Sequence, residues 1–240
     1  MNYLILVRHG QSVWNLEKRF TGWVDVDLSA KGKLEANQSG ELIKKLNLKI
    51  NSFFSSYQKR AINTLKLILN IINSKPNQIT KAWELNERHY GELTGLNKDQ
   101  MKKVYGEKKI HIFRRSWDMA PAPLNKNNPN HPLNIEIYKN IPRNKIPDTE
   151  SLKDTYERVI YYYLKNIEPL IQNDKNVLIS AHGNTLRALC KKLFNISDKN
   201  ISKLEIPTGN PLLIKFRNNL KIDGCRYLDS SRSKDLLVKF

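Results

Sequence analysis

Two histidines in this 240-residue chain each close a short apolar run and stand directly before a glycine. The runs are Tyr3-Leu4-Ile5-Leu6-Val7-Arg8-His9-Gly10 and Asn176-Val177-Leu178-Ile179-Ser180-Ala181-His182-Gly183-Asn184. A neutral imidazole is a good phosphoryl acceptor near pH 7, because an unperturbed pKa of about 6.5 leaves one ring nitrogen with a free lone pair. A cation beside it, here Arg8, favours that neutral form, and a backbone carbonyl that accepts Nδ1–H presents Nε2 to the phosphorus. A second histidine opposite the first can donate to the oxygens of the transferring group.

Such chemistry needs elements that hold the two side chains together. Four or five apolar residues followed by glycine are too few for a buried helix and read as a strand buried on both faces, as in a parallel sheet. Open α/β sheets bind ligands at the carboxyl edge, so two neighbouring strands of this kind would bring His9 and His182 face to face there. After the first strand, Ser29 caps an expected helix with Leu34, Leu42, Ile43 and Leu46 on its buried side. Ile50 to Ser55 returns as a strand, and Lys59 to Ile72 is a helix with Ile62, Leu65, Leu69 and Ile72 at helical spacing.

Residues 80–147 break the rhythm, with expected helices from Asn97 to Tyr105 and near Ile110 to Trp117; six of the ten prolines lie between Pro121 and Pro147. That polar, proline-rich composition is poor core material and suggests a functional or mobile loop lying over the sheet. The sheet resumes after it: Thr149 or Ser151 caps a helix bearing Leu152, Tyr156, Val159, Tyr163 and Ile167. The Val177–Ala181 strand follows, then a helix marked by Leu186, Leu189, Cys190 and Leu193, and a last strand from Pro211 to Phe216. The expected architecture is α/β, a three-layer α/β/α sandwich with a mostly parallel central sheet, in one domain over 1–240 with a polar tail from 217 to 240.

The run Leu6-Val7-Arg8-His9-Gly10-Gln11-Ser12-Val13-Trp14-Asn15 resembles the signature of the phosphoglycerate mutase and histidine phosphatase superfamily. Arg19-Phe20-Thr21-Gly22-Trp23, Glu84 to Gly91, Leu93 to Lys98, Arg114 to Asp118 and Pro207-Thr208-Gly209 resemble its bisphosphoglycerate-dependent mutase branch, in order from residue 3 to about 216. The resemblance implies that His9 is phosphorylated, that Arg8 and Arg60 clamp the transferring group with bidentate forks, and that His182 donates from the other side. Gly10, Gly183 and Asn184 would bring backbone or amide N–H groups close. Ser56-x-x-x-Arg60-Ala61 matches the family's second motif at a helix start. Glu87 is implied as general acid and base. Tyr90, Lys98, Arg114 and Arg115 are implied to hold the substrate carboxylate and second phosphate. Gln11, Ser12, Val13, Trp14, Asn15, Thr21, Gly22, Arg88 and His89 complete the implied binding set. The implied primer is 2,3-bisphosphoglycerate, the implied substrates are small phosphorylated three-carbon acids, and the implied assembly is a homodimer or homotetramer.

Composition bounds the alternatives. The formal charge of +18 attracts polyanions. Lysine outnumbers arginine 29 to 12, asparagine reaches 27, and the basic residues are scattered, so codon bias accounts for the charge better than nucleic-acid binding does. No apolar stretch could span a bilayer, and the expected site of action is the cytoplasm without a membrane partner. Cys190 and Cys225 show no metal-ligand or disulfide spacing, and the five histidines are dispersed, so no metal is expected. Two rivals remain: a histidine phosphatase, which shares Arg8, His9, Arg60 and His182 but does not need the 80–118 cations, and a basic polyanion-binding protein, which needs neither His9 nor Glu87.

Overall fold

The computed structural model describes residues 2–75, 78–217 and 220–238. Its strands are β1 (Asn2–Arg8), β2 (Ser52–Ser55), β3 (Thr80–Lys81), β4 (Val177–Ala181), β5 (Leu212–Phe216) and β6 (Ile222–Tyr227), ordered β3-β2-β4-β1-β5-β6 in one sheet. The first four in that order run parallel, and β5 and β6 are added antiparallel. β1 pairs with β4 from Leu4↔Val177 to Arg8↔Ala181, and the ladder runs on one bond further, with His9 N–H donating to the Ala181 carbonyl at 3.0 Å. The two strand-histidine units are therefore neighbours in register, which meets the condition for His9 and His182 to face each other.

Both faces of β1 are covered. Leu4 and Leu6 pack with Val177, Ile179, Ile214 and Phe216 under α6 (Leu152–Tyr162) and α8 (Gly183–Leu193). Ile5 and Val7 pack on the other side with Phe53, Leu178 and Leu213 under α2 (Ala30–Lys44) and α3 (Lys59–Ile71). Burying each such side chain contributes about 1.5–3 kcal/mol, which anchors the strand ends that carry the chemistry. The helix starts agree with the sequence: Ser29 Oγ accepts from Gly32 N, and Ser151 forms a capping box with Asp154. α6 runs on through a π-turn over Tyr163–Ile167 into the short helix Glu168–Gln172.

Three expectations need correction. Leu34 is 63% exposed: α2 instead buries Gly32, Glu35, Ala36, Ser39, Gly40 and Ile43. That small-residue face lets the helix lie close to α3, since a Cβ on Gly40 would come within 2.7 Å of Ile71 Cβ. The 121–147 segment is core-forming in part, with Tyr138 and Ile141 buried against Trp23, and its chain folded into 3₁₀ turns that keep the backbone hydrogen-bonded. Finally, Phe216 does not end the sheet. β6 adds an outer strand, and Leu236, Leu237 and Val238 pack on the core, so this part of the tail is docked; residues 218–219 and 239–240 of the tail lie outside the described residues.

Two short helices carry the remaining cations. α4 (Lys98–Tyr105) is capped by Asn97, as expected, and α5 (Glu107–Arg115) starts three residues before Ile110 because Gly106, at φ 83°, turns the chain between them. Both rest on a separate small core of Phe20, Leu93, Ile110 and Phe113.

Candidate active site

At the carboxyl edge the rings of His9 and His182 meet edge to face with centroids 5.0 Å apart. His9 Nδ1 lies 2.7 Å from the Gly10 carbonyl, so Nδ1 carries the proton and Nε2 keeps the lone pair. Burial, then Arg60, then Arg8 hold the His9 pKa well below its usual value. Burial, then Arg60 and His9, do the same for His182. Both rings are neutral at physiological pH, and Nε2 of His9 keeps its lone pair.

The cations around them are anchored by backbone carbonyls. Arg8 donates from Nη1 to Ile206 O at 2.8 Å, and its Nε is buried without a partner. Arg60, 1% exposed in the first turn of α3, donates from Nη1 to Val24 O at 2.8 Å and from Nη2 to Gly22 O at 2.9 Å and Gln58 Oε1 at 3.1 Å. With both Nη2 protons engaged it offers single N–H donors, not the two-pronged fork expected from sequence. Gly22, at φ 52°, thus serves by presenting its carbonyl to Arg60.

Gly10 also differs from expectation. Its N–H donates to Thr64 Oγ1 at 3.1 Å, and a Cβ there would sit 2.1 Å from Gly32 O. The position demands glycine because two backbones touch, not because an N–H must be free. In the following loop, Gln11 N–H donates to Glu35, Gln11 Oε1 accepts from Ser29, and Ser12 and Asn15 cap each other across the one-turn helix α1 (Val13–Leu16). Trp14 stacks with Arg19 at 5.7 Å. Buried Thr21 leaves Oγ1 unpartnered.

Opposite lies the Glu87–Tyr90 segment. Glu87 Oε1 accepts from Arg88 N at 2.8 Å and from Asn184 N at 3.2 Å, which ties the carboxylate to the residue beyond His182-Gly183. Asn184 Nδ2 donates to Tyr90 Oη at 3.0 Å, and its Oδ1 accepts from Arg187 at 2.5 Å. Arg88 is fully buried over the Tyr90 ring, 4.8 Å from its centroid; it donates to Phe113 O, and its Nε and Nη1 have no partner. Lys98 donates to Arg19 O, and burial, Arg114 and Arg8 push its pKa down to about 8. Arg115 feels burial and Arg114 in the same direction and lies 3.7 Å from Glu205.

His89 is brought elsewhere. Its Nδ1 accepts from Gly91 N, its ring lies 6.1 Å from that of His131, and His131 bonds Asp148 at 3.0 Å. Burial lowers the His89 pKa to about 3, with His131 adding to the effect.

Several supports escaped the sequence reading. Arg158 and Glu150 form a buried ion pair at 2.6 Å. Arg158 also donates to the carbonyls of Glu84, Asn86 and Glu87 at 2.6, 3.0 and 3.0 Å, while Glu150 Oε2 accepts from His89 N at 2.7 Å. The pair grips the chain on both sides of Glu87. Gln58, Thr64 and Arg187 brace Arg60, Gly10 and Asn184 in turn. Of these, only Gln58 carried a signal, its place within the Ser56–Arg60 motif.

The strand edge thus joins a neutral histidine that keeps the Nε2 lone pair, a second histidine beside it, buried nitrogens without a partner and a gripped carboxylate. Comparison with known families agrees: the model of the histidine phosphatase superfamily, branch 1, matches residues 4–128 and 124–221, and the chain belongs to that family. Among curated relatives, the 2,3-bisphosphoglycerate-dependent phosphoglycerate mutase of Pelagibacter ubique is 63% identical over 238 residues, 99% of this chain and 100% of the relative. A protein of the same name from Hydrogenobaculum is 48% identical over 228 residues, 95% of this chain and 92% of the relative. Among solved structures, an Escherichia coli protein described as a putative alpha-ribazole-5'-P phosphatase superposes with TM-score 0.70 at 19% identity, covering 95% and 96% of the two chains. A mycobacterial glucosyl-3-phosphoglycerate phosphatase gives 0.68 at 21% identity, covering 95% and 97%. At that identity the likeness is one of fold.

Proposed function

We propose that this site interconverts 3-phosphoglycerate and 2-phosphoglycerate through a phosphoryl group carried on Nε2 of His9. One observation carries the reading: Arg8 Nε, beside Gly183, His182 Nδ1, and Arg88 Nε and Nη1, over the Tyr90 ring, are buried nitrogens without a partner. Each unsatisfied buried donor costs about 1–3 kcal/mol, and an anion reaching them recovers that cost. Donors in two groups, one at the histidine pair and one beside Tyr90 with Lys98, Arg114 and Arg115, suit a substrate with a transferable phosphate and a second anionic end. The full-length identity with curated mutases supports the same choice over a phosphatase.

In this reading Arg8 and Arg60 neutralise the equatorial oxygens while Nε2 of His9 forms the N–P bond and the P–O bond to the departing hydroxyl breaks. Glu87 gives that hydroxyl its proton and takes it back in the return step, a carboxylate fixed by its two backbone donors. The orphaned donors fit 2,3-bisphosphoglycerate, which when bound supplies the phosphoryl group that primes His9. Arg88, Tyr90, Lys98, Arg114 and Arg115 keep the carbon skeleton in place while it turns between the two transfers. Charge stabilisation by arginine is proposed to make a metal ion unnecessary. Among the described residues no group of three or more His, Cys, Asp or Glu side chains is placed to hold one, and none of the helices is long and apolar enough to cross a membrane. A cytoplasmic homodimer or homotetramer belongs to the same proposal and rests on the family resemblance.

The test is a coupled assay of 3-phosphoglycerate conversion with and without 2,3-bisphosphoglycerate, before and after dialysis against EDTA. Primer-dependent, chelator-resistant turnover with an acid-labile, alkali-stable label on His9 is expected. Phosphate release without isomerisation would make the chain a phosphatase.

A further inference from the structure

Ser56 sits at the end of β2, fully buried, with its hydroxyl 2.8 Å from Nε2 of His182. We propose that Ser56 is a positioning residue that fixes the proton of His182 on Nδ1, so that this nitrogen meets the transferring phosphoryl group as a donor. The inference deepens the reading above and rests on it.

His182, buried among Arg60, Arg8 and His9, is neutral and holds a single ring proton. Ser56 Oγ already accepts from Gln58 N at 3.1 Å. If Nε2–H of His182 also donated to Oγ, the hydroxyl proton would have no acceptor among the hydrogen bonds of the described residues, and Nδ1 would face a phosphate oxygen with a lone pair. If the hydroxyl instead donates to Nε2, both Ser56 and Nε2 are matched, with Gln58 N–H to Oγ and Oγ–H to Nε2, and Nδ1–H alone is left to meet the phosphoryl group. Nδ1 is the buried atom of this ring that lacks a partner, and the ring meets that of His9 at an interplanar angle of 62° with centroids 5.0 Å apart. The two histidines are thereby set in complementary roles by two different acceptor–donor arrangements. The Gly10 carbonyl takes the Nδ1 proton of His9 and frees Nε2 to attack, whereas the Ser56 hydroxyl occupies Nε2 of His182 and frees Nδ1–H to donate.

The experiment is ¹⁵N NMR of histidine-labelled protein, alone and with orthovanadate as a mimic of the transferring group. The His182 signals are assigned by their loss in His182→Gln. In the wild type, a protonated Nδ1 and a bare Nε2 are expected, unchanged in Ser56→Thr, which keeps the hydroxyl, and mixed between tautomers in Ser56→Ala. In single-turnover labelling by 2,3-bisphosphoglycerate, Ser56→Ala is expected to slow phosphorylation of His9 roughly tenfold or more with little change in primer affinity, and Ser56→Thr to restore most of it. A wild-type Nε2–H tautomer, or an imidazolium with both nitrogens protonated, overturns the inference even if every serine variant misfolds. Failure of the mutase reading looks different: the tautomer stands as expected but no label reaches His9.

Discussion

The half of the site proposed to transfer the phosphoryl group and the half proposed to hold the substrate are built differently. Arg8, His9, Arg60 and His182 stand on the ends of the central strands and on α3, backed on both faces by the main cores, and the two arginines are fixed by the carbonyls of Ile206, Val24 and Gly22. Lys98, Arg114 and Arg115 stand on two short helices over a core of four buried residues. Arg115 keeps a fifth of its side chain in solvent. Geometry within fractions of an ångström matters where bonds are made, and a tolerant, electrostatic grip suffices where an intermediate must rotate without leaving.

Perturbing the two halves should give effects that differ in kind as well as size. The largest loss is expected from His9→Ala, which removes the proposed phosphoryl carrier and should lower turnover by about 10⁴-fold with no label retained. Normal turnover, or an acid-stable phosphoserine, would end the distinction altogether.

Next comes the clamp behind Glu87. Removing one partner of the buried pair, as in Glu150→Gln or Arg158→Met, should cost about 3–5 kcal/mol of stability in denaturant unfolding. The double apolar variant Glu150→Leu with Arg158→Met should regain much of that stability. Its kcat should stay low, because the carbonyls of Glu84, Asn86 and Glu87 still lack their donor. Full recovery of kcat would show that the pair serves stability alone.

Arg114→Ala with Arg115→Ala tests the other half. Losing two charge-assisted donors at about 1.5–3 kcal/mol each should weaken phosphoglycerate binding by more than about a hundredfold. His9 should still be labelled at high primer, and the ratio of phosphate released to phosphoglycerate isomerised should rise. An unchanged ratio at full rate would make both residues ordinary surface charges.

The remaining effects are in pH, and they run in opposite directions. Lys98, with its pKa pushed down to about 8, loses its charge above that value, so kcat/KM should fall on the alkaline side and Lys98→Arg should move the limb upward. His9, His182 and His89 have folded pKa values below the unfolded value of about 6.5. The unfolded chain therefore takes up protons that the folded chain refuses as pH falls below about 6.5, and stability should drop by up to about 1.4 kcal/mol per pH unit for each ring. A melting temperature flat from pH 7 to 5 would contradict their burial as neutral groups.

The same contrast governs what could be read in the sequence. The histidine strands were legible because burial on both faces leaves an unbroken apolar run, and Ser29, Asn97 and Ser151 announced their helices by side-chain chemistry that acts locally. β6, with the sequence Ile222-Asp223-Gly224-Cys225-Arg226-Tyr227, was not: a half-exposed outer strand carries glycine and charge and shows no apolar run. Leu34 misled because α2 packs through small residues. Tyr138 lies buried among prolines that usually signal the opposite. The family motifs carried most of the site, but the Arg158–Glu150 grip spans more than seventy residues to reach Glu84–Glu87 and leaves no local pattern. The engaged N–H of Gly10 and the occupied fork of Arg60 are three-dimensional facts of the same sort.

The place of β1 in the sheet has a consequence for how the chain is made. It is an inner strand, flanked by β4 and β5, and the bond from Tyr3 N to Asn176 joins residues 173 apart. At about 5–20 residues per second, roughly 9–35 s of translation separate the emergence of β1 from that of its first partner. For that interval Leu4, Ile5, Leu6 and Val7 are an apolar ribbon with both edges open, the kind of segment that aggregates unless a chaperone or the ribosome surface shields it. The feature that makes the finished site rigid makes the nascent protein wait for it.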